Sequence, residues 1–411
     1  MIFGAFAIFF TGYPHVWSIY QPYVMEQAGW SQGQASMCFY LALSTFVFGN
    51  IVGGRMQNRF KEKTIVWIGG GIFAAGILAS TFLIVPTPLP MYLSYGVMQG
   101  FGQGMIYTVI LATVQRWFPD RTGFASGVVV TANGLCGFFL APLSRKLLEA
   151  EGVQKTFLII GAAIAVSWIL CGIFFQAPDK SLVNAGGSAA KSGTSEMKQY
   201  TSGEMMRTRN FYLLLATMFF GLISYFMVSP VSQTHQIDLG IPSAVAVSAV
   251  MLGSIVNAGA RLVLPTLADK VGRIVCIKGV LIVAVIAMGV LAVSSSLAVT
   301  VAIVLMYGCY GGIMGSFPSL TSSVFGMKHT GENYGFVMFG IVFATFGAPA
   351  ISGLVSSKGY EMNVVFGIGA VFAVIAFVCL TLLGRNLAKE HAEKSAGVKN
   401  DTAQVSKPQA E

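Results

Sequence analysis

Twelve apolar runs of about 18–27 residues, separated mostly by short polar loops, limit this chain to one class of fold. They occupy residues 1–24, 36–53, 64–85, 91–115, 122–147, 154–176, 211–234, 244–268, 274–293, 297–322, 333–356 and 363–383. A helix rises ~1.5 Å per residue, so runs of this length cross a hydrocarbon core ~30 Å thick with some tilt. Hydropathy agrees: 55% of the residues are hydrophobic, 10% are charged and mean hydropathy is +0.72. A soluble chain of 411 residues has no interior large enough to hide that much apolar surface. The expected fold class is an all-α membrane protein, with 12 transmembrane helices arranged as two pseudo-symmetric six-helix bundles.

The net charge of +9 suggests nucleic acid until the positions are read. Twenty of the 25 Lys and Arg fall in alternate loops and the tail, and only four (145, 146, 155, 358) in the opposite loops. That asymmetry is the positive-inside rule. It predicts a multi-pass protein of the inner (cytoplasmic) membrane with its C-terminus in the cytoplasm, in contact with lipid and not with nucleic acid. The first run begins at Met1, without a basic leader or a small-residue cleavage site, and carries Pro14, His15, Trp17 and Tyr20. It is therefore not a signal peptide, and the natural start is expected upstream, or the chain is truncated. The six cysteines are scattered through apolar runs and read as small core residues. No nucleophile, phosphate-loop or metal-ligand motif appears, so neither an enzyme nor a metal or cofactor site is expected.

The two halves repeat at an offset of about 210 residues. Phe9-Phe10 recurs as Phe219-Phe220, Tyr95-Gly96 as Tyr307-Gly308, and the pair Gly123/Gly127 as Gly331/Gly335. The expected domains are an N-terminal bundle (1–176), a flexible cytoplasmic linker (177–210), a C-terminal bundle (211–384) and a disordered cytoplasmic tail (385–411). Parallel six-span repeats describe a carrier that rocks about a central site. Gly96, Gly100 and Gly104 form a small-residue stripe read as a helix contact and not as a cargo site.

One charge breaks the apolar pattern. Arg261 lies eight residues before the polar end of its run at Asp269, which places it about 12 Å into the membrane. A lone intramembrane cation is costly and by default marks an ion or substrate pathway. No carboxylate near it in sequence balances it, so the missing negative charge is most simply the cargo. Asn257, one turn earlier, shares its face and offers an amide beside the guanidinium.

The loops carry a resemblance. Residues 54–62 (G-R-M-Q-N-R-F-K-E) and 265–273 (P-T-L-A-D-K-V-G-R) resemble the signature loop of the major facilitator superfamily, G-x-x-x-D-[RK]-x-G-[RK]. Asn58 stands in place of the acid and Arg59 is kept; the second copy keeps Asp269, Lys270 and Arg273. In that family the acid bonds a neighbouring helix N-terminus and latches the outward-facing state, so these five residues are expected to gate the carrier. Asn58 then implies a weaker latch in the N-terminal half. Residues 116–127 (R-W-F-P-D-R-T-G-F-A-S-G), 202–208 (S-G-E-M-M-R-T) and 333–336 (N-Y-G-F) are similar to the oxalate:formate antiporter family, related to monocarboxylate transporters.

That likeness implies that Arg261 matches a carboxylate-binding arginine of span eight. It also implies that Tyr107, Asn133, Tyr310 and His15 occupy pore positions, while Ile341 replaces the second cation, a lysine. One buried Arg balances a monocarboxylate and leaves a dicarboxylate with a charge unpaired in low dielectric, so a small organic anion such as formate, lactate or pyruvate is favoured. Coupling to protons, through His15, His235 or the acid itself, or to a counter-transported anion, stays open. Expected alternatives are oxalate/formate-type dicarboxylate exchange, efflux of a larger hydrophobic compound, and a non-transporting receptor or scaffold. The carrier is expected to act as a monomer.

Overall fold

The structure, a computed structural model, describes residues 2–176 and 198–405. It is helical throughout the described residues, and ten helices there are long and apolar enough to cross a membrane. Two further passes escape that count, one because it is broken and one because two passes run on as a single helix. The first pass consists of α1 (Ile2–Phe9), a tight 3-10 stretch (Phe10–Val16) and α2 (Trp17–Ala28). Pro14 causes the break by removing a backbone donor and crowding the preceding turn. Gly12 lets that stretch press on the fifth pass, since a Cβ there would lie 2.5 Å from Cys136 Cβ. Passes five and six run together as α7 (Thr122–Phe174), interrupted at Gly152, whose φ of 78° favours glycine.

The rest of the N-terminal bundle is α3 (Gln32–Met56), α4 (Glu62–Ser80) and a fourth pass built of α5 (Leu89–Met91), a π-wound stretch (Tyr92–Gln99) and α6 (Gly100–Trp117). Ser31 and Gln34 close a capping box at the start of α3. The glycine stripe lies where α3 meets the fourth pass. A Cβ on Gly96 would come 2.8 Å from Leu41 Cβ, and one on Gly104 would collide with the Phe46 carbonyl. The C-terminal bundle holds α8 (Ser202–Met205), α9 (Arg209–Val228), α10 (Ser232–Asp238), α11 (Ser243–Val271), α12 (Arg273–Val293) and α13 (Ala298–Phe325). It ends with α14 (Thr330–Val337), α15 (Phe339–Ser357) and α16 (Met362–Val405).

Two expected boundaries move. Residues 177–197 of the linker lie outside the described residues, but 198–208 are folded. Thr201 and Glu204 form a second capping box, and the Thr201 N–H and hydroxyl hold the Glu204 carboxyl below its usual range. Ser202 Oγ donates to Asn333 Oδ1 at 3.1 Å, and Asn333 Nδ2 donates to the Tyr200 carbonyl at 3.0 Å. Buried polar partners therefore anchor what composition alone marks as loose. The tail expected to be disordered from 385 continues α16 to Val405; it is rich in Ala, Lys and Glu, all strong helix formers. Asn210 Nδ2 donates to Glu390 Oε1 at 2.9 Å, tying that continuation to α9.

The face carrying residues 57–61, 118–121 and 269–273, called here the basic face, is where the bundles meet most closely. A Cβ on Gly123 would lie 2.5 Å from the Asp269 carboxylate, one on Gly127 2.9 Å from the Arg261 carbonyl, and one on Gly335 2.9 Å from Ile51 Cγ1. Buried hydrogen bonds add to the seal. Gln115 Nε2 donates to Ser126 Oγ at 2.8 Å, and Ser322 Oγ on the other bundle donates to Gln115 Oε1 at 3.1 Å.

Candidate functional site

Away from that seal the bundles part around a cavity of about 430 Å³. Its lining comes from the halves of the passes that lie toward the opposite face, including Pro14, Gln21, Ser36, Tyr40, Ser229 and Pro349. Arg261, only 3% exposed, also lines it. Among the described residues, no Asp or Glu does.

The guanidinium is held by two amides, one from each bundle. Its Nε donates to Asn257 Oδ1 at 2.9 Å, one turn earlier on α11, as the i−4 spacing predicts. Its Nη1 donates to Asn133 Oδ1 at 2.7 Å, across the bundle interface on α7. Asn133 is itself fixed, because its Nδ2 donates to Thr11 Oγ1 at 3.0 Å in the broken first pass. Gln103 Nε2 donates to the Thr11 carbonyl, and Gln99 Nε2 to Gln103 Oε1 at 3.0 Å. A buried chain of amides thus runs from the fourth pass to the arginine. Neutral amide oxygens orient a guanidinium without neutralising it. The positive charge persists, and no salt bridge to Arg261 forms among the described residues.

Five of the six expected site residues come together here: Arg261, Asn257, Asn133, Tyr310 and His15. The Tyr310 ring lies below the guanidinium, 5.4 Å from centroid to Cζ, a cation–π distance. His15 lines the cavity with its ring edge toward Tyr310 (6.4 Å) and Phe39 (6.1 Å). The two asparagines turn out to aim the arginine; Asn133 has both its amide atoms engaged within the protein. Tyr107 is the exception. It does not line the cavity, packs on Phe46 at 5.2 Å, and leaves its buried hydroxyl without a partner. Ile341 is likewise buried off the cavity, while Thr345, one turn on, lines it. His235 packs against Phe366 at 4.9 Å, also away from the cavity.

Sequence reading missed Tyr225, whose ring stacks on Tyr310 at 4.2 Å and 14°. The repeat would have found it: an offset of 210 from His15 lands on Tyr225, and both line the cavity.

The gating expectation needs one correction. Asp269 sits inside the last turn of α11, so its Oδ2 accepts from the Phe124 N–H at the start of α7 at 3.1 Å, while Arg273 holds Oδ1 at 3.2 Å. A carboxylate at a helix N-terminus is favoured there. Asn58 does not copy it. Because α3 stops at Met56, Asn58 falls in the turn beyond, exposed and with no side-chain hydrogen bond. Arg55 bridges the halves instead, with Nε 2.6 Å from Glu332 Oε1 at the start of α14. Arg59 and Lys270 are exposed. Glu332→Gln is therefore expected to lower the basic-face-closed population by a factor of about two to five, the range of a partly exposed pair. Asn58→Asp is expected to leave it unchanged. Distances between spin labels on α3 and α14 read both, and a larger effect at Asn58 would restore it to the latch.

Comparison with known proteins places this geometry. A model of the Major Facilitator Superfamily matches residues 1–346. The oxalate:formate antiporter of Oxalobacter formigenes is 26% identical over 377 residues, covering 91% of this chain and 88% of that protein. Human monocarboxylate transporter 11 is 28% identical over 230 residues, or 56% and 47% of the two chains. In structure the chain is similar to the transporter FucP in its outward conformation, with a TM-score of 0.68 at 13% identity over 93% and 98% of the chains. It is also similar to the proton:xylose symporter XylE, with a TM-score of 0.70 at 13% identity over 92% and 93%. The two solved structures share the fold, the family model covers most of the sequence, and the chain belongs to the major facilitator superfamily.

Proposed function

We propose that this protein is a secondary transporter that moves a small organic anion, a monocarboxylate of the class of formate, lactate and pyruvate, across the cytoplasmic membrane by alternating access. One observation carries the reading: Arg261, a buried cation, lines a cavity of about 430 Å³ in which no carboxylate stands among the described residues. A carboxylate docked there gains charge-assisted hydrogen bonds in a site of low dielectric. A second carboxylate on the same cargo would find no second Lys or Arg among the described residues of the lining, which disfavours a dianion. The basic loops support a cytoplasmic position for the sealed face and for the C-terminus. In this arrangement the cavity lies on the outer side of the seal. Proton symport and anion exchange are both compatible with one fixed positive charge.

The test is the thermal stability of the purified chain with formate, acetate, lactate, pyruvate and oxalate. Ligand at ~100 times its Kd stabilises the folded state by about 2.7 kcal/mol, enough for a clear rise in Tm. A rise with monocarboxylates and little with oxalate is expected. The strongest rise with oxalate would mean that a second cation reaches the site.

A further inference from the structure

The cavity above Arg261 is built for more than a carboxylate. Its ~430 Å³ lies in the range of pockets that hold ring-sized ligands, far above what a one-carbon acid fills. Arg261, Asn257 and Asn133 form one hydrogen-bonded cluster on its wall. Beside them the wall carries some small polar groups, Ser36, Ser229 and Thr345 among them, but its large side chains are mostly aromatic and come from both bundles. Phe39 stands on α3, His15 beside it on the first pass, and Tyr310 with the stacked Tyr225 on the C-terminal bundle. Tyr40 and Tyr307 extend the wall on each side. Aromatic rings offer a large apolar contact and prefer the edges and faces of other rings. A methyl group or a bare hydrogen would leave most of this wall uncovered.

The geometry points to a monocarboxylate with a bulky apolar body, an aryl or branched 2-oxo or 2-hydroxy acid, as the preferred cargo. The acid lies at Arg261 and the body lies among Phe39, His15, Tyr225 and Tyr310. This rests on the anion-site reading above and narrows its substrate class. It makes Tyr225 a specificity residue that contacts the body and not the carboxylate. It also gives the closing motion something to grip, since Phe39 and Tyr225 belong to different bundles and both would touch the same ligand.

Calorimetry on the purified full chain decides it, with acetate, pyruvate, 3-methyl-2-oxobutanoate and phenylpyruvate as probes. Affinity should climb along the series, with phenylpyruvate binding at least ~tenfold more tightly than pyruvate because of the apolar area it buries. The gap should shrink toward unity in Tyr225→Ala, and phenylpyruvate binding should disappear in Arg261→Gln. If pyruvate or acetate bound as tightly as phenylpyruvate, the body-binding inference would fall while the anion site stood. Phenylpyruvate binding that survived Arg261→Gln would be plain hydrophobic adsorption and would also overturn it. No heat with any acid, in a protein that folds and is stable, would sink the anion site and the inference together.

Discussion

Arg261→Gln is expected to reduce carboxylate uptake into proteoliposomes by at least ~10²-fold while leaving the protein folded. The size follows from the interaction lost. Removing one member of a buried, hydrogen-bonded charge pair costs about 3–5 kcal/mol, or roughly two to nearly four decades in affinity. Retention of the fold follows from the same burial. A guanidinium 3% exposed inside a membrane helix, with amides as its partners and no counter-charge among the described residues, is a burden on the fold. Translocon scales put that burden at about 2.5–3.5 kcal/mol, so the glutamine variant, relieved of it, should melt no lower than the native chain.

Arg261→Lys sharpens the test. The ammonium keeps the charge and loses the planar fork whose Nε and Nη1 meet Asn257 and Asn133. Uptake should fall nearly as far as in the glutamine variant if orientation matters, and far less if charge alone does. Wild-type uptake in the glutamine variant would remove the arginine from the transport pathway altogether.

How much of this was legible beforehand depends on where each signal lives. Arg261 stood out because a charge in hydrocarbon is expensive wherever the chain later folds, so its cost is written in the local sequence. The passes were legible for the same reason, since lipid constrains each one separately. Tyr225 was not, because an aromatic residue in an apolar run is ordinary until the stacked partner Tyr310, 85 positions later, is in place. The role of Asn133 was half legible. Its position was suggested by likeness to a family, but its service to Arg261 depends on Thr11, 122 residues away. Asn58 misled because two loops similar in sequence end their helices differently, with α3 stopping two residues before Asn58 and α11 running two residues past Asp269. Such a difference belongs to helix termination, where sequence reading is weakest.

The glycines separate two roles that look alike in sequence, and one substitution at each of two sites tells them apart. Gly127→Val is expected to abolish transport by holding the basic face open. Its first added atom would sit 2.9 Å from the Arg261 carbonyl, across the interface between α7 and α11, and the branched methyls would press on Leu262. The bundles can relieve that clash by rocking apart, so the variant stays folded and changes its conformational balance. An overpacking cost of about 1–3 kcal/mol moves a two-state equilibrium by roughly fivefold to more than a hundredfold. Gly104→Ala meets the Phe46 carbonyl inside one bundle, where no rocking motion gives relief. It should lower thermal stability and leave the balance of states alone. A cysteine placed at Ser229, which lines the cavity, reports the difference through a membrane-impermeant maleimide. The native cysteines give little background, five being buried and Cys379 partly so. Labelling should fall steeply in Gly127→Val and be unchanged in the folded fraction of Gly104→Ala. Unaltered labelling in the valine variant would mean that the contact between α7 and α11 does not control which face of the carrier is open.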